Sequence, residues 1–372
     1  MSRGAKLPDF PWDSLAEAKA IASAHPGGIV DLSVGTPVDP TPELIQHALR
    51  AASDAHGYPQ VWGTPDLREA IAAWFARRRG ATYVDPDGVM PTIGSKELVA
   101  WLPTLLGLGP GDEVGFPAVA YPTYDVGARL AGATPKPAQG LLEYGPKPPK
   151  LLWLNTPSNP TGAVLGLEHL KKVVDWARQH GVIVASDECY AQLSWTSDEP
   201  TPSLLDDRVT GGDLTGLLAV YSMSKQSNLA GYRAAFVAGD IALVRQLVEI
   251  RKHAGMIVPW PIQRALLAAV GDDEHVAAQK ARYADRRTVL RTALQAAGWL
   301  IEHSDAGLYL WTTRDEPCRD SVAALAQRGI LVAPGDFYGA AGARHVRIAL
   351  TATDERIGAA VERLGSAECH EV

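Results

Sequence analysis

The sequence predicts an α/β fold, with a mostly parallel central sheet in a large domain and a small α+β domain beside it. Three observations carry this. The chain has 372 residues, more than one ordinary hydrophobic core holds, so two domains are expected. Short apolar runs alternate with amphipathic helical stretches through its middle, the pattern of a sheet covered on both faces. Polar clusters follow directly on those runs, where open sheets of this kind gather ligands beyond the strand carboxyl ends.

Taken in order, residues 1–40 are rich in Pro and Gly, with one short helix and then "IVDLSVGTPVDPTP". Thr41-Pro42-Glu43 reads as a helix start, a cap followed by proline at the first position and an acid in the first turn. Leu44, Ile45, Ala48 and Leu49 form that helix's expected buried face. The device recurs at Thr64-Pro65-Asp66, followed by apolar Leu67, Ile71, Trp74 and Phe75 and a stop at Gly80. "GSKEL" (94–98) opens a buried apolar helix over 95–106, and "GLGPG" (107–111) is the turn after it. "EYGPKPPK" (143–150) is a loop.

Strands are expected at 151–155, 182–188, 217–222 and 234–240, with a helix over 167–180 ended by Gly181. On that helix Leu167, Leu170, Val173, Val174 and Ala177 share one face. From 241 to about 300 the pattern is helical. Strands at 307–313 and 345–351 belong to the small α+β unit. The large domain is expected over 41–265, and the small one over 1–40 and 266–372, built from both termini.

Composition narrows the function. A net charge of −7 disfavours nucleic acid, whose backbone wants a basic surface. The three cysteines, Cys189, Cys318 and Cys369, form no CxxC pair, so neither a disulfide framework nor a zinc knuckle is expected. The ten histidines are dispersed, so no metal site is expected. The N-terminal stretch has no apolar core of a signal peptide, and the apolar run 98–109 is too short to span a bilayer and is broken by Pro103. The expectation is a cytoplasmic protein with no membrane partner.

The stretch "SMSKQSNLAGYR" (222–233) concentrates the chemistry. Lys225 follows a buried strand and stands between serines rather than among charges. Ser222-x-x-Lys225 matches the SxxK of penicillin-binding proteins, but the partner motifs K-T-G and S-D-N are absent. No HExxH, GxSxG or Walker lysine occurs. A neutral lysine amine attacks an aldehyde, and the biological aldehyde that uses this most is pyridoxal phosphate.

That cofactor makes four demands. Its ring nitrogen needs a carboxylate, and Asp187, closing "VIVASD", is placed for it. Its phenolic oxygen wants donors, which Tyr190 and Asn159 can supply. Its phosphate wants a helix N-terminus and an arginine fork, offered by Ser95, Lys96, Ser222 and Arg233. Its ring needs a stacking surface, for which Tyr121 is the candidate.

These residues carry a resemblance. "SVGTP", "YPQVWGTPDLREAI", "GSKE", "AYPTY", "NTPSNPTG", "DECY", "SMSK" with an arginine eight residues after the lysine, and "VRIAL" run in family order from residue 33 to 350. Together they resemble the fold-type I pyridoxal-phosphate aminotransferases of the aspartate aminotransferase superfamily, class I/II.

The resemblance implies roles. Lys225 would carry the cofactor's aldehyde and move the proton between substrate and cofactor carbons. Asp187 would pair with the ring nitrogen, and Asn159 and Tyr190 would hold the phenolic oxygen. Ser95, Lys96, Ser222 and Arg233 would bind phosphate. Tyr58 matches a tyrosine lent across a dimer interface, which implies a homodimer with shared active sites. Arg347 would clamp the substrate α-carboxylate, with Gly35 and Asn159 beside it. Amino acids and 2-oxo acids would be the small-molecule substrates.

Around the lysine, "SMSKQSNLAGYR" is similar to the N-succinyl-L,L-diaminopimelate aminotransferases of lysine biosynthesis, with 2-oxoglutarate as acceptor. "HAGMIVPWP" (253–261) holds no arginine for a short dicarboxylate. The alternatives are another class I/II aminotransferase acting on aspartate, alanine or aromatic amino acids, or a fold-type I β-lyase. A cofactor-sensing DNA-binding regulator would need a helix-turn-helix extension and is disfavoured.

Overall fold

In the computed structural model of the chain, residues 7–365 are described. The centre is a seven-stranded sheet in the order Val89–Ile93, Ala234–Gly239, Leu217–Ser222, Ile183–Asp187, Leu151–Asn155, Glu113–Pro117, Thr134–Ala138. Ala234–Gly239 runs antiparallel to both its neighbours, and the other pairs are parallel. The carboxyl ends of Glu113–Pro117, Leu151–Asn155, Ile183–Asp187 and Leu217–Ser222 therefore share one edge. Reversing direction twice, Val89–Ile93 also ends there.

Period-two alternation covers both faces of this sheet. In Leu217–Ser222, Leu217, Ala219 and Tyr221 join one buried cluster, whereas Leu218 and Val220 join another. On the first face, helix Pro65–Arg79 seats Trp74 4.6 Å from Tyr221 and 5.6 Å from Phe236, ring to ring. On the second, helix Ser95–Leu105 buries Leu98 and Leu102 in the cluster that also holds Tyr124 and Trp153. Such aromatic contacts add to area burial.

Helix stops follow the sequence. Gly80, Gly181 and Gly255 end their helices in the left-handed region, at φ 62°, 63° and 69°, where glycine alone bears no Cβ penalty. The helical stretch after 240 resolves into Ile241–Ala254, Trp260–Val270 and Glu274–Ala296.

A second, four-stranded antiparallel sheet has the order Ala333–Pro334, Val346–Ala349, Tyr309–Thr313, Leu300–Glu302. Val30–Asp31 pairs in parallel with Ile330–Leu331. This pairing lays the segment before Gly35 beside the C-terminal elements.

Several expectations need correcting. Leu44 is exposed, because Ile45 alone of the predicted face is fully buried in helix Glu43–Ala51. Asp240 is not in the strand; its carboxylate caps the next helix, accepting from the Ala242 and Leu243 backbone N–H groups at 2.7 and 3.3 Å. Thr64 stands at the helix N-cap without a capping side-chain bond, leaving Pro65 to start the helix. Strands Val89–Ile93, Glu113–Pro117 and Thr134–Ala138 were not anticipated. Cys369 lies outside the described residues; Cys189 and Cys318 are free and buried.

Candidate active site

A cavity of about 530 Å³ opens at the strand carboxyl edge. Its lining includes every sequence-predicted site residue except Tyr58: Gly35, Ser95, Lys96, Tyr121, Asn159, Asp187, Tyr190, Ser222, Lys225, Arg233 and Arg347. Tyr58 is 100% exposed and stands away from its own chain's cavity.

The floor is built from the parallel strands. Asp187 is the last residue of Ile183–Asp187 and is 7% exposed. It accepts from the Tyr124 hydroxyl at 3.1 Å and from the Cys189 N–H at 3.3 Å. Burial raises its pKa, since no cation pairs with it among the described residues. Asn155, one strand over, accepts from the Asn159 N–H at 2.7 Å and so shapes the 155–159 turn.

Next door, Glu188 is buried and paired with Arg79 at 2.7 Å, both side chains having no exposure. Glu188 also accepts from Ser203 Oγ at 3.1 Å and the Leu204 N–H at 2.7 Å. Arg79 donates further to the Thr201 carbonyl at 2.6 Å. This polar knot fixes the backbone between Asp187 and Tyr190.

Lys225 reaches into the cavity and donates to the Gly35 carbonyl. Burial depresses its pKa; the Tyr309 hydroxyl opposes this and the nearby Arg347 charge reinforces it. The lysine turn is braced from behind. Ser227 Oγ lies 2.7 Å from His275 Nε2, and His275 Nδ1 lies 2.6 Å from Asp272. Asn228 donates to Gln279 Oε1 at 2.9 Å, and Gln279 donates to Asp39 at 2.7 Å. Asp39 is forked by Arg286 at 2.7 Å.

One rim is a helix start. Gly94 precedes helix Ser95–Leu105, whose first two residues, Ser95 and Lys96, line the cavity, so the helix start with its free N–H groups lies at the cavity wall. A methyl on Gly94 would collide with the Arg233 guanidinium. Arg233 itself sits at φ 54°, disfavoured for a residue with a side chain, and its carbonyl accepts from the Gly94 N–H at 2.9 Å. Ser222 donates to Ser224 Oγ at 2.8 Å, and the Ser224 N–H returns to Ser222 Oγ at 3.2 Å.

The opposite wall comes from the second sheet. Arg347, in strand Val346–Ala349, is 2% exposed. It donates to Asn159 Oδ1 at 2.9 Å and to the Ser33 carbonyl at 2.7 Å. Its guanidinium lies 3.9 Å above the Tyr309 ring. Tyr121 has its pKa pushed up to about 12, chiefly by burial. At the mouth, the Lys96 ammonium stands 5.6 Å from the Phe10 ring and 6.0 Å from the Tyr121 ring. Neither Lys96 nor Lys19, also on the lining, has a carboxylate partner among the described residues.

Sequence reasoning missed Tyr124, Cys189, Asn155 and Tyr309. Tyr124 lies in "AYPTY" beside Tyr121, and Tyr309 lies inside a run readable only as a strand. Glu97 is held in a bidentate pair with Arg251 at 2.7 and 3.1 Å, away from the cavity. No cluster of metal-ligating side chains and no helix long and apolar enough to cross a membrane occurs among the described residues.

This donor set fits the four demands stated for pyridoxal phosphate. A buried carboxylate without a cation awaits a ring N–H. A buried amine without an anion awaits an aldehyde. The helix start with Arg233 suits a dianion, Tyr190 and Asn159 line the same cavity as donors for a phenolic oxygen, and Tyr121 lines it as a ring surface.

Comparison with known proteins bears on the family. The family model for aminotransferase class I and II matches residues 28–364. A probable aminotransferase of Mycobacterium tuberculosis, Rv1178, is 63% identical, over 97% of this chain and 86% of that protein. The 4-dedimethylamino-4-oxo-anhydrotetracycline transaminase OxyQ of Streptomyces rimosus is 57% identical, over 96% and 99%. An LL-diaminopimelate aminotransferase of Gloeobacter violaceus is 36% identical, over 97% and 96%. Among solved structures, a probable N-succinyldiaminopimelate aminotransferase of Thermus thermophilus superposes with a TM-score of 0.84 at 28% identity, over 95% of this chain and 99% of that one.

Proposed function

The chain belongs to the class I and II aminotransferases, which depend on pyridoxal phosphate, and we propose that it moves an amino group between N-succinyl-L,L-diaminopimelate and 2-oxoglutarate in lysine and diaminopimelate biosynthesis. One observation carries the choice of substrate. The mouth of the cavity holds Lys19 and Lys96 without carboxylate partners among the described residues, which suits a donor whose far end is anionic. The Thermus protein is named for the succinylated donor and supports the reading, whereas the Gloeobacter protein is named for LL-diaminopimelate without the succinyl group.

In this reading the bound cofactor supplies an aldehyde and an electron-withdrawing ring. The chain does the rest. Asp187 keeps a proton on the ring nitrogen. The Ser95 and Lys96 backbone, Ser222 and Arg233 hold the phosphate. Arg347, fixed by Asn159 and the Ser33 carbonyl, grips the α-carboxylate and turns the Cα–H toward Lys225. The Lys225 amine, whose pKa burial lowers, would take that proton from Cα and return it to the carbon on the far side of the amino nitrogen. Tyr58 reaches a second copy's phosphate across a homodimer interface. In this reading a large domain over 41–265 and a small one over 1–40 and 266–372 would divide these groups between them.

A second reading rests on the 57% identity to OxyQ: amination of a ketone on a bulky ring system. A single-turnover absorbance experiment decides. The cofactor-loaded protein is mixed with N-succinyl-L,L-diaminopimelate, L-aspartate, L-alanine or L-glutamate, and 2-oxoglutarate is then added. Fastest loss of the visible band with the succinylated donor, and recovery with 2-oxoglutarate, is the expected result. Response only to common amino acids refutes the substrate. If glutamate alone converts the band and only a polycyclic ketone restores it, the second reading replaces the first.

A further inference from the structure

Tyr309 has no role in the reading above, yet it sits at the centre of the site. Its hydroxyl lies 3.1 Å from the Tyr190 hydroxyl, with the rings 5.6 Å apart and edge to face. Its ring carries the Arg347 guanidinium at 3.9 Å. Its hydroxyl also closes on Gly35, where a methyl group would collide with it. That glycine is the one whose carbonyl receives the Lys225 amine. One side chain thus touches the residues expected to hold the cofactor's phenolic oxygen, the substrate carboxylate and the reactive lysine.

We propose that Tyr309 is a positioning residue: it donates its hydroxyl hydrogen to the Tyr190 oxygen, so that Tyr190's own hydrogen is aimed at the cofactor's phenolic oxygen. The direction of donation follows from the surroundings. Against burial, which raises the Tyr309 pKa, the Arg347 guanidinium stacked 3.9 Å from its ring stabilises the phenolate and leaves Tyr309 the stronger acid. The Tyr190 pKa is raised, first by burial. A hydroxyl that accepts a hydrogen bond becomes a better donor in turn. The titratable groups facing Tyr309 are Tyr121, Cys189, Tyr190, Lys225, Tyr283, Tyr338 and Arg347.

The proposal rests on cofactor use and on the Tyr190 assignment, not on which amino acid is the donor. The test is a double-mutant cycle of Tyr309→Phe and Tyr190→Phe on the cofactor-loaded protein. Tyr309→Phe keeps the ring beneath Arg347 and removes only the hydroxyl. The pH midpoint of the visible absorbance change is measured, with kcat and KM for the amino donor. With a weaker donor at its phenolic oxygen, the chromophore holds its neighbouring proton more tightly, so the midpoint rises in each single variant. The kcat of Tyr309→Phe falls about fivefold, the worth of one hydrogen bond, at unchanged KM. In the Tyr190→Phe background, Tyr309→Phe adds nothing to either quantity. Additive effects, or a KM change without a midpoint change, would overturn the proposal. A midpoint shift in Tyr190→Phe but none in Tyr309→Phe refutes Tyr309 alone. No shift in Tyr190→Phe refutes the relay and the Tyr190 assignment together.

Discussion

The pair Arg79–Glu188 lies one residue from Asp187 and can be broken cleanly. Arg79→Met keeps the length and the packing of the side chain but removes its charge. Glu188 then keeps two donors, Ser203 Oγ and the Leu204 N–H, and loses its counter-charge in a site with no solvent exposure. The Thr201 carbonyl loses its donor as well. Breaking a buried pair on one side costs about 3–5 kcal/mol. With an unfolding entropy of about 2.1 cal/mol/K per residue over 372 residues, that is a fall in Tm of roughly 4–6 °C. The assay is thermal unfolding of the cofactor-free protein followed by circular dichroism. Adding Glu188→Gln removes the stranded charge while keeping an acceptor for Ser203 and Leu204, so the double variant should recover more than half of the loss. A single variant within about 1 °C of the parent, or a double variant no better than the single, would show that the buried charge is not what the pair controls.

Three further outcomes follow from the site. Lys225→Met should abolish turnover measured by 2-oxo acid formation, and should also stabilise the cofactor-free protein at neutral pH. The folded pKa of Lys225 lies below the ordinary 10.5, so folding sheds a proton in the window between them and parental stability rises with pH there; denaturant titrations across that window should show the rise vanish in the variant. Arg347→Lys gives up the planar fork, and kcat/KM for the amino donor should drop about 100-fold, the worth of a charged hydrogen-bond pair of ~3 kcal/mol; a change under threefold in steady-state assays contradicts the clamp. The chain should sediment as a dimer, and Tyr58→Phe should loosen the cofactor about tenfold in equilibrium dialysis, a donor to phosphate being worth ~1.5 kcal/mol; a monomer holding cofactor normally contradicts the shared site.

Much of this was legible because buried parallel strands announce themselves. "LLWLN" and "LLAVYS" are unbroken apolar runs, and both became strands within the predicted limits. The missed strands are those whose sequence argues against strand. "TPKPA" carries two prolines and is tolerated because Thr134–Ala138 is the sheet's outermost strand, with one long side unpaired. "VMPTI" forms the other edge. Among the residues singled out from the sequence that the cavity gathers, most stand at the ends of elements, where a polar residue in a turn has no packing reason to be there; Arg347, inside strand Val346–Ala349, is the exception. Tyr309 stands inside an apolar strand, where a tyrosine is ordinary, and only the fold brings its hydroxyl to Tyr190. Tyr124, three residues after Tyr121, is missed for the same reason: spacing alone does not bring its hydroxyl to Asp187.

The bracing behind the lysine turn bears on modularity. Ser227 and Asn228 are anchored to helix Glu274–Ala296 and, through Gln279, to Asp39, so this turn is not a cassette. Transplanting residues 222–233 into a related scaffold would deliver the lysine without its footing, whereas moving them with 38–41 and 272–286 would carry the scaffold that holds it. Natural exchange of segments between such enzymes should therefore respect that three-part unit, and breakpoints falling between its pieces should be rare among active chimaeras.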